Sequence, residues 1–496
     1  VRLSLGRLEH RYQVPDAELA LSSLLEGVAV DLPAPFGKPA AEPRPLEIKI
    51  AGLANPDRDL HVRYGDVLRG RMILEAGEQG PAPARSRLVL GPGQAELPDD
   101  DVLEITGRLA RFSLDEWLPV LADLQGDGGL PVRLDLAIDA LEVAGYALHE
   151  VGLQAGTAGL VQDITLTGKS AQGHIALSRT SQGIEKVVAN LDRLRLQSLP
   201  EAAPVPAVMK PGPADMPELN LSIGKLRVDD IKFGNALLET ARSTNTVEVK
   251  QLVVSSKMIE LRATGNWRGK RGLDRCWFDI EISNGRLDRL LEAFDYAEEV
   301  EGGELSGSIH AGWQGAPWDF EPGRAEGRLY LDIRDGQLQS VKPGAGRVFG
   351  LVGLHTLPRR LSLDFSDLFR KGFSFDRIEG NFVLDGGNAY TDDLQIEGPA
   401  ARIDITGRIG LAEQDYDQLV TVMPNLSSSL PLAGVLAGGP AVGAALLIAD
   451  QLLDSEIDGM AVQRYAVTGP WSEPVYEKLG EKKKKPLTSD PLEDIE

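Results

Sequence analysis

Very few residues in this 496-residue chain sit at a spacing that chemistry could use, and each apparent site fails on inspection. Gly168-Lys169-Ser170 has the end of a phosphate-binding loop, in which backbone amides and a lysine cradle phosphates. The first glycine of such a loop would fall at Asp163, whose carboxylate would repel the ligand, and the segment runs on into another strand instead of a helix. Gly344-Ala345-Gly346-Arg347-Val348-Phe349-Gly350 is close to a dinucleotide-binding turn. Its last glycine comes one residue late, and a Lys342-Pro343 turn, not a strand end, leads into it. Both read as connections between elements.

The histidines, at 10, 61, 149, 174, 310 and 355, show no metal-ligand spacing, and His149-Glu150 lacks the second histidine of a zinc-protease helix. No Gly-x-Ser-x-Gly elbow is present. The single cysteine, Cys276, excludes a disulfide within the chain and a thiolate metal cluster. It lies in phase with Phe278, Ile280 and Ile282 and reads as a small buried hydrophobe. An almost thiol-free chain is compatible with an oxidising compartment such as a periplasm. No catalytic residue, metal or cofactor is predicted, and the chain reads as a non-enzyme.

The densest polar cluster runs from Leu357 to Asp367 and places Arg359 and Arg360 near Asp364 and Asp367. Salt bridges at a strand-to-helix corner are one reading. The other puts the two guanidinium forks on a phospholipid headgroup. The net charge of −22 argues against nucleic acid, because phosphate neutralisation needs clustered Lys and Arg, which here are scattered along the strands. The same charge disfavours loose adhesion to anionic lipid.

What would position such residues is a long series of strands. Val132-Arg133-Leu134-Asp135-Leu136-Ala137-Ile138-Asp139 is the cleanest, with an aliphatic side chain on every second residue. A period of two means one apolar face and one wet face. With 54 Gly, 31 Pro and 42% hydrophobic but only 5% aromatic residues, the composition suits short aliphatic strands joined by tight turns. The class expected is mainly β. So many half-buried strands must close, stack, or leave a long apolar surface, and the third outcome points to lipid. The expected architecture is an elongated, curved, antiparallel-rich β-sheet forming an open hydrophobic groove, with a few short helices and a C-terminal helical cap. Its lining would come from Leu134, Leu136, Ile138; Ile164, Leu166; Leu219, Leu221, Ile223; Phe278, Ile280, Ile282; Leu329, Leu331, Ile333; and Ile403, Ile405.

Helices are expected over 113–124 and 287–296, with a third short one over 365–371. A phrase ending in Thr-Gly recurs, as in Leu166-Thr167-Gly168 and Ile405-Thr406-Gly407, at irregular spacing. The expected organisation is a β-groove segment over 1–198, a Pro-rich linker or loop over 199–217, and a second groove segment over 218–425. An apolar helical segment over 426–455, broken by Gly and Pro, a final strand within 456–474 and a disordered charged tail over 475–496 complete it. Leu430–Ala449 is uncharged, but Pro431, Pro440 and four glycines break it, so a helix from about Pro440 is expected. Leu446, Leu447, Leu452 and Leu453 are its candidate membrane contacts, against the plainer reading of an internal cap. The chain begins at Val1 inside an apparent strand with no initiator Met or signal-like segment, and reads as a fragment.

Several phrases between Gly302 and Trp471 carry a family resemblance. They include Gly312-Trp313-x-Gly315-x-Pro317, Asp335-Gly336, Val341-x-Pro343-Gly344-x-Gly346-Arg347, and Leu357-Pro358-Arg359-Arg360-Leu361-Ser362-Leu363-Asp364-Phe365 with Ser366-Asp367-Leu368-Phe369. Lys371-Gly372-Phe373-x-Phe375-Asp376, Val422-x-Pro424 and Thr468-Gly469-x-Trp471-x-x-Pro474 follow. The whole resembles the C-terminal part of the AsmA-like envelope proteins, in their large YhdP branch. From about Leu219 to Gly302 the likeness is looser, and before the Pro-rich stretch only the strand rhythm supports it.

The resemblance implies a Gram-negative periplasmic body anchored to the inner membrane by an N-terminal helix. Its implied work is bridge-like transport of phospholipid along the groove towards the outer membrane, with no catalytic residues to carry over. Its implied partners are phospholipids, the outer membrane and other envelope proteins. The alternative is a structural scaffold or assembly factor of the outer envelope, with polysaccharide-related roles, pairing by strand addition. A β-rich glycan hydrolase is disfavoured by the sparse aromatics.

Overall fold

The protein is seen in a computed structural model that describes residues 2–5, 17–53, 55–77, 80–123, 130–158, 161–180, 183–199, 211–270, 272–294, 300–338, 373–425 and 462–479. It is mainly β, the class expected from the period of two. The chain divides into two compact units, one of Val1–Ser256 with Arg268–Gly272, the other of Lys257–Trp267 with Leu273–Glu496.

The first unit contains β1 (Arg2–Leu5), β2 (Leu19–Ser23), β3 (Leu46–Ala51), β4 (Arg58–Tyr64), β5 (Leu68–Gly77), β6 (Gly80–Leu90) and β7 (Leu103–Ser113). Helix α1 (Leu114–Asp123) follows, then β8 (Val132–Val143), β9 (Tyr146–Ala158), β10 (Val161–Gly168), β11 (Ala171–Thr180) and β12 (Gly183–Ser198). The unit continues with β13 (Glu218–Val228), β14 (Ile231–Ser243) and β15 (Thr246–Ser255).

Neighbouring strands mostly pair as antiparallel hairpins, but β6 with β7, β7 with β8 and β12 with β13 pair in parallel. A parallel neighbour needs a crossing connection. Helix α1 lies in one of these, capped by Ser113, whose hydroxyl accepts from the Glu116 amide at 3.4 Å, and seated by Trp117 between Phe36 and Phe112. The Pro-rich stretch 199–217 lies in another. Prolines cannot donate to a ladder, so they suit a crossing between β12 and β13, which lie side by side. The split between the two units falls later, at Ser256 and Lys257.

The alternation is not strict throughout this unit. A one-residue dislocation crosses several neighbouring strands: Leu109 pairs with Ile138 and Phe112 with Leu141, while Ile138 pairs with Val151 and Leu141 with Leu148. Farther along, Gly173 pairs with Leu191 and Ala171 with Leu194. Side chains three residues apart, such as Val151 and Leu148 or Leu191 and Leu194, therefore share one apolar face. The β11 and β12 register shift at Gly173 is a bulge, which bends a strand without flipping its buried set. Strict period-two reading misses Leu141, Leu148 and Leu194 for this reason.

The second unit contains β16 (Glu260–Arg268), β17 (Arg275–Arg286), α2 (Leu287–Ala293), β18 (Val300–Gln314) and β19 (Glu326–Leu338). Then come β20 (Phe373–Asp385), β21 (Asn388–Glu397), β22 (Ala401–Gly410), β23 (Asp415–Pro424), β24 (Gln463–Pro470) and β25 (Val475–Leu479). From β17 to β25 each consecutive pair is antiparallel. Strand β25 occupies the start of the stretch expected as a disordered tail, because Tyr476 pairs with the buried Val467 and gives that edge an apolar anchor. The predicted third helix over 365–371 and the apolar segment over 426–455 lie outside the described residues.

The recurring Thr-Gly phrase has a steric cause. Gly407 takes φ +124°, and a Cβ there would lie 2.3 Å from the Asp417 carbonyl oxygen on β23. Gly168 takes φ +135° and presses in the same way on the Glu150 carbonyl. That conformation and that approach both require glycine. The phosphate-loop likeness around Gly168 dissolves accordingly: Lys169 pairs with Glu150 at 2.7 Å, and the buried Ser170 hydroxyl accepts from the His149 amide.

On the polar side of β19 and β20, Asp332 is 5% exposed and receives hydrogen bonds from Arg377 and Arg334, and Tyr330 donates to Glu379 at 2.7 Å. The Arg377 guanidinium, and then Arg334, hold the Asp332 carboxyl below its ordinary value against the opposing effect of burial. A depressed carboxylate stabilises the fold above the unfolded-state value and loses that contribution as pH falls through the folded one.

Two outcomes are expected from this packing. Replacing Gly407 by Ala should destabilise the second unit by about 1–3 kcal/mol, read by denaturant unfolding, since the strained backbone and the Asp417 carbonyl leave no room for a methyl. Asp332→Asn should cost about 1.5–3 kcal/mol at neutral pH, and the gap from the parent chain should close below about pH 4. A gap that persists at low pH would remove the charge-based account.

Candidate functional site

The candidate site is the apolar face that the ladder register assembles. On β8, Leu134 and Leu136 are half-buried and Ile138 is 2% exposed, while Arg133, Asp135 and Ala137 between them are exposed. Register then carries this face from strand to strand. Leu21 pairs with Ile48, Ile48 with Val62, Val62 with Gly70, Gly70 with Leu88, and Leu88 with Ile105. Ile105 pairs with Leu134, Leu134 with Ala155, Ala155 with Ile164, and Ile164 with Ile175. Ile175 pairs with Ala189, Ala189 with Leu221, Leu221 with Leu238, and Leu238 with Leu252.

This row crosses β2 to β15 without a single polar side chain. Its large members are half-buried, whereas the small ones, Gly70, Ala155 and Ala189, are buried. A second row beneath it, through Leu136, Leu153, Leu166, Gly173, Leu191 and Ile223, is equally apolar. Behind both rows the opposite face reads Thr106, Asp135, Gln154, Thr165, His174, Asn190 and Ser222 in register. Neighbouring outer pairs such as Arg108 with Asp139 at 2.6 Å keep that face solvated.

In the second unit Ile280 pairs with Ile309, Ile309 with Leu329, and Leu329 with Phe382. Alongside run Ile282, Gly307, Leu331 and Gly380. The first three of the upper row are half-buried, and Phe382 is 3% exposed. Beyond it the face closes, with Ile396 and Ile405 at 0% and Ile403 and Val422 at 1%.

The predicted lining residues thus fall into two groups. Leu134, Leu136, Ile164, Leu219, Leu221 and Ile223 in the first unit, and Ile280, Ile282, Leu329 and Leu331 in the second, are half-buried on the apolar face of their own unit. Ile138 and Leu166 in the first unit, and Phe278, Ile333, Ile403 and Ile405 in the second, lie on the same sides but are buried. Arg359, Arg360, Leu446, Leu447, Leu452 and Leu453 lie outside the described residues. Sequence reasoning passed over Ile48, Val62, Leu88, Ile105 and Ile175, whose own alternation was visible, and Gly70, Ala155 and Ala189, whose small side chains carry no hydropathy signal.

Among the described residues the apolar rows traced above hold no titratable side chain. Cys276 is buried, its thiol donates to the Gly315 carbonyl at 3.2 Å, and burial pushes its pKa up to about 12. His61 pairs with Asp59 and His310 with Asp279 on the polar side. Among the described residues no group of His, Cys, Asp or Glu is disposed to hold a metal ion, and no helix is long and apolar enough to cross a membrane.

The sequence model of the YhdP protein family matches residues 4–476, so the chain belongs to that family. A curated relative, the intermembrane phospholipid transporter YhdP of Escherichia coli (strain K12), is 22% identical over 474 residues, covering 92% of this chain and 37% of that protein. The chain thus spans little more than a third of that relative's length. No solved structure matches.

The exposure difference along β8 has a measurable consequence. Leu134→Asp should cost about 1 kcal/mol in unfolding free energy, because the half-buried position lets the carboxylate reach water, whereas Ile138→Asp should cost upwards of about 3 kcal/mol. Equal losses in chemical denaturation would mean that the Leu134 row is sealed like the Ile138 position.

Proposed function

We propose that this member of the YhdP family carries phospholipid acyl chains on its apolar face, as part of a periplasmic bridge between the inner and outer membranes. The observation that supports the reading is the half-buried aliphatic row from β2 to β15. Each methylene exposed to water costs about 0.8 kcal/mol, so a sixteen-carbon chain in water costs on the order of 12 kcal/mol. A route between membranes therefore needs continuous apolar cover, and the row offers it strand after strand. Leu, Ile, Val, Ala and Gly present no side-chain donor or acceptor that would hold a headgroup and stall its movement.

The name of the Escherichia coli relative, an intermembrane phospholipid transporter, fits the same reading. The reading needs no catalytic residue and no cofactor. Anchorage to the inner membrane through an N-terminal helix, contact with the outer membrane and association with other envelope proteins belong to the same proposal and rest on family likeness.

The test is a pair of photo-crosslinking positions on β17. A photoreactive residue in place of Ile280 should capture phospholipid in cells, and one in place of the neighbouring Glu281, on the wet face, should not. Equal capture at both positions would refute the facing. Capture of protein alone, with no lipid at Ile280, would favour a scaffold of the envelope instead.

A further inference from the structure

We infer that the lipid-bearing face of the second unit ends at β19, and that β20 to β24 form a packed core which acyl chains do not enter. The inference rests on the lipid reading above and adds where, within this unit, that face stops. Three observations carry it.

Exposure changes sharply along one row of this face, while Ile333, lower on β19, is already buried at 4%. Ile280, Ile309 and Leu329 are half-buried, whereas the next residue in the same row, Phe382, is 3% exposed. On the following strands Ile396, Ile405 and Val420 are at 0–1%. A groove wall must leave a side chain free to touch an occupant, and these side chains are already fully in contact with protein.

One packed cluster fills these strands, and it takes in Ile333 and Leu338 of β19 at its margin. Phe373, Phe375, Phe382, Tyr416 and Tyr465 are all buried on β20 to β24, within one cluster with the aliphatic residues. Burying each such side chain is worth about 1.5–3 kcal/mol, so admitting a lipid chain would mean separating many of them at once. Aliphatic contact with a lipid would replace contacts that the protein already makes at crystal-like density.

On the opposite face the boundary itself is clamped. Asp332 of β19 receives Arg377 of β20, and Tyr330 of β19 donates to Glu379 of β20. The β19 and β20 ladder is regular from Gly327 with Leu384 to Leu338 with Phe373. The clamp fixes the β19 and β20 register, which keeps Phe382 beside Leu329 where the row closes, so lipid meets or leaves this unit on the β17 to β19 side.

Cysteine placement in the full chain tests the inference, using phosphatidylcholine that bears a maleimide on one acyl chain as the probe. The native Cys276 is buried, so the parent chain should remain unlabelled. Leu134→Cys in the first unit and Leu329→Cys in the second should label, and Ile405→Cys should show loss of labelling to the level of the parent. After unfolding in denaturant Ile405→Cys must label one thiol more than the parent, whose Cys276 is then exposed too, which ties the loss to burial in the folded chain. Labelling of folded Ile405→Cys comparable to Leu329→Cys would overturn the inference while leaving the lipid reading intact. Absence of labelling at both Leu134→Cys and Leu329→Cys would defeat the lipid reading and this inference with it.

Discussion

Cross-strand register is the constraint on which the rest of this molecule depends. Side chains alternate between faces, so a slip of one residue between two strands would turn a whole aliphatic set to the wet side. The row from Leu21 to Leu252 survives because each ladder pairs an apolar residue with an apolar residue. Aliphatic burial stabilises the correct register at each step, while Asp135 beside Gln154 and Thr106 beside Asp135 would be stranded by the wrong one. The ladder and the face are thus two expressions of one pairing.

Where the sheet departs from regular alternation, some departures are single bulges, as between Met72 and Leu74 or Glu239 and Thr240, and one is shared by neighbouring strands. Here the step from Ile138 to Leu141 on β8 is matched by the step from Leu109 to Phe112 on β7 and from Val151 to Leu148 on β9. The shared dislocation keeps the faces consistent while allowing the strands to bend. The glycines that end the Thr-Gly phrases serve a related need, since they let one backbone approach a neighbouring carbonyl more closely than any side chain would permit.

These features explain what could be read from the residues alone. The strand rhythm gave away the class, and with it the side on which Leu134 and Leu221 lie in the first unit and Ile280 in the second, because period two is a local signal. Asp163 argued for a connection at Gly168-Lys169-Ser170, and there Lys169 pairs with Glu150. Crossing connections were not legible. Prolines over 199–217 look the same in a linker between domains as in a loop that returns β13 to lie beside β12, and only long-range pairing separates the two. Residues past a bulge were hidden because three-residue spacing is not a strand signal. The YhdP likeness was carried by phrases between Gly302 and Trp471, where Gly, Pro and Trp mark turns and strand ends.

The same alternation also conceals two physical outcomes. Ile403-Asp404-Ile405 and Leu134-Asp135-Leu136 are indistinguishable as patterns, yet the first pair of aliphatic side chains is sealed and the second is half-open. The difference lies in what stands across the face. Around Ile403 and Ile405 the cluster recruits Phe373, Phe375, Phe382 and Tyr416, large rigid rings that fill space completely. Around Leu134 and Ile164 the row holds aliphatic and small residues, whose summed volume leaves the upper side chains uncovered. In a chain with 5% aromatic residues, the placement of a few rings thus helps to separate a packed core from a half-open apolar surface. Local periodicity sets which way a side chain points, but whether it ends in protein or against an occupant depends on volume contributed by strands far away in the sequence.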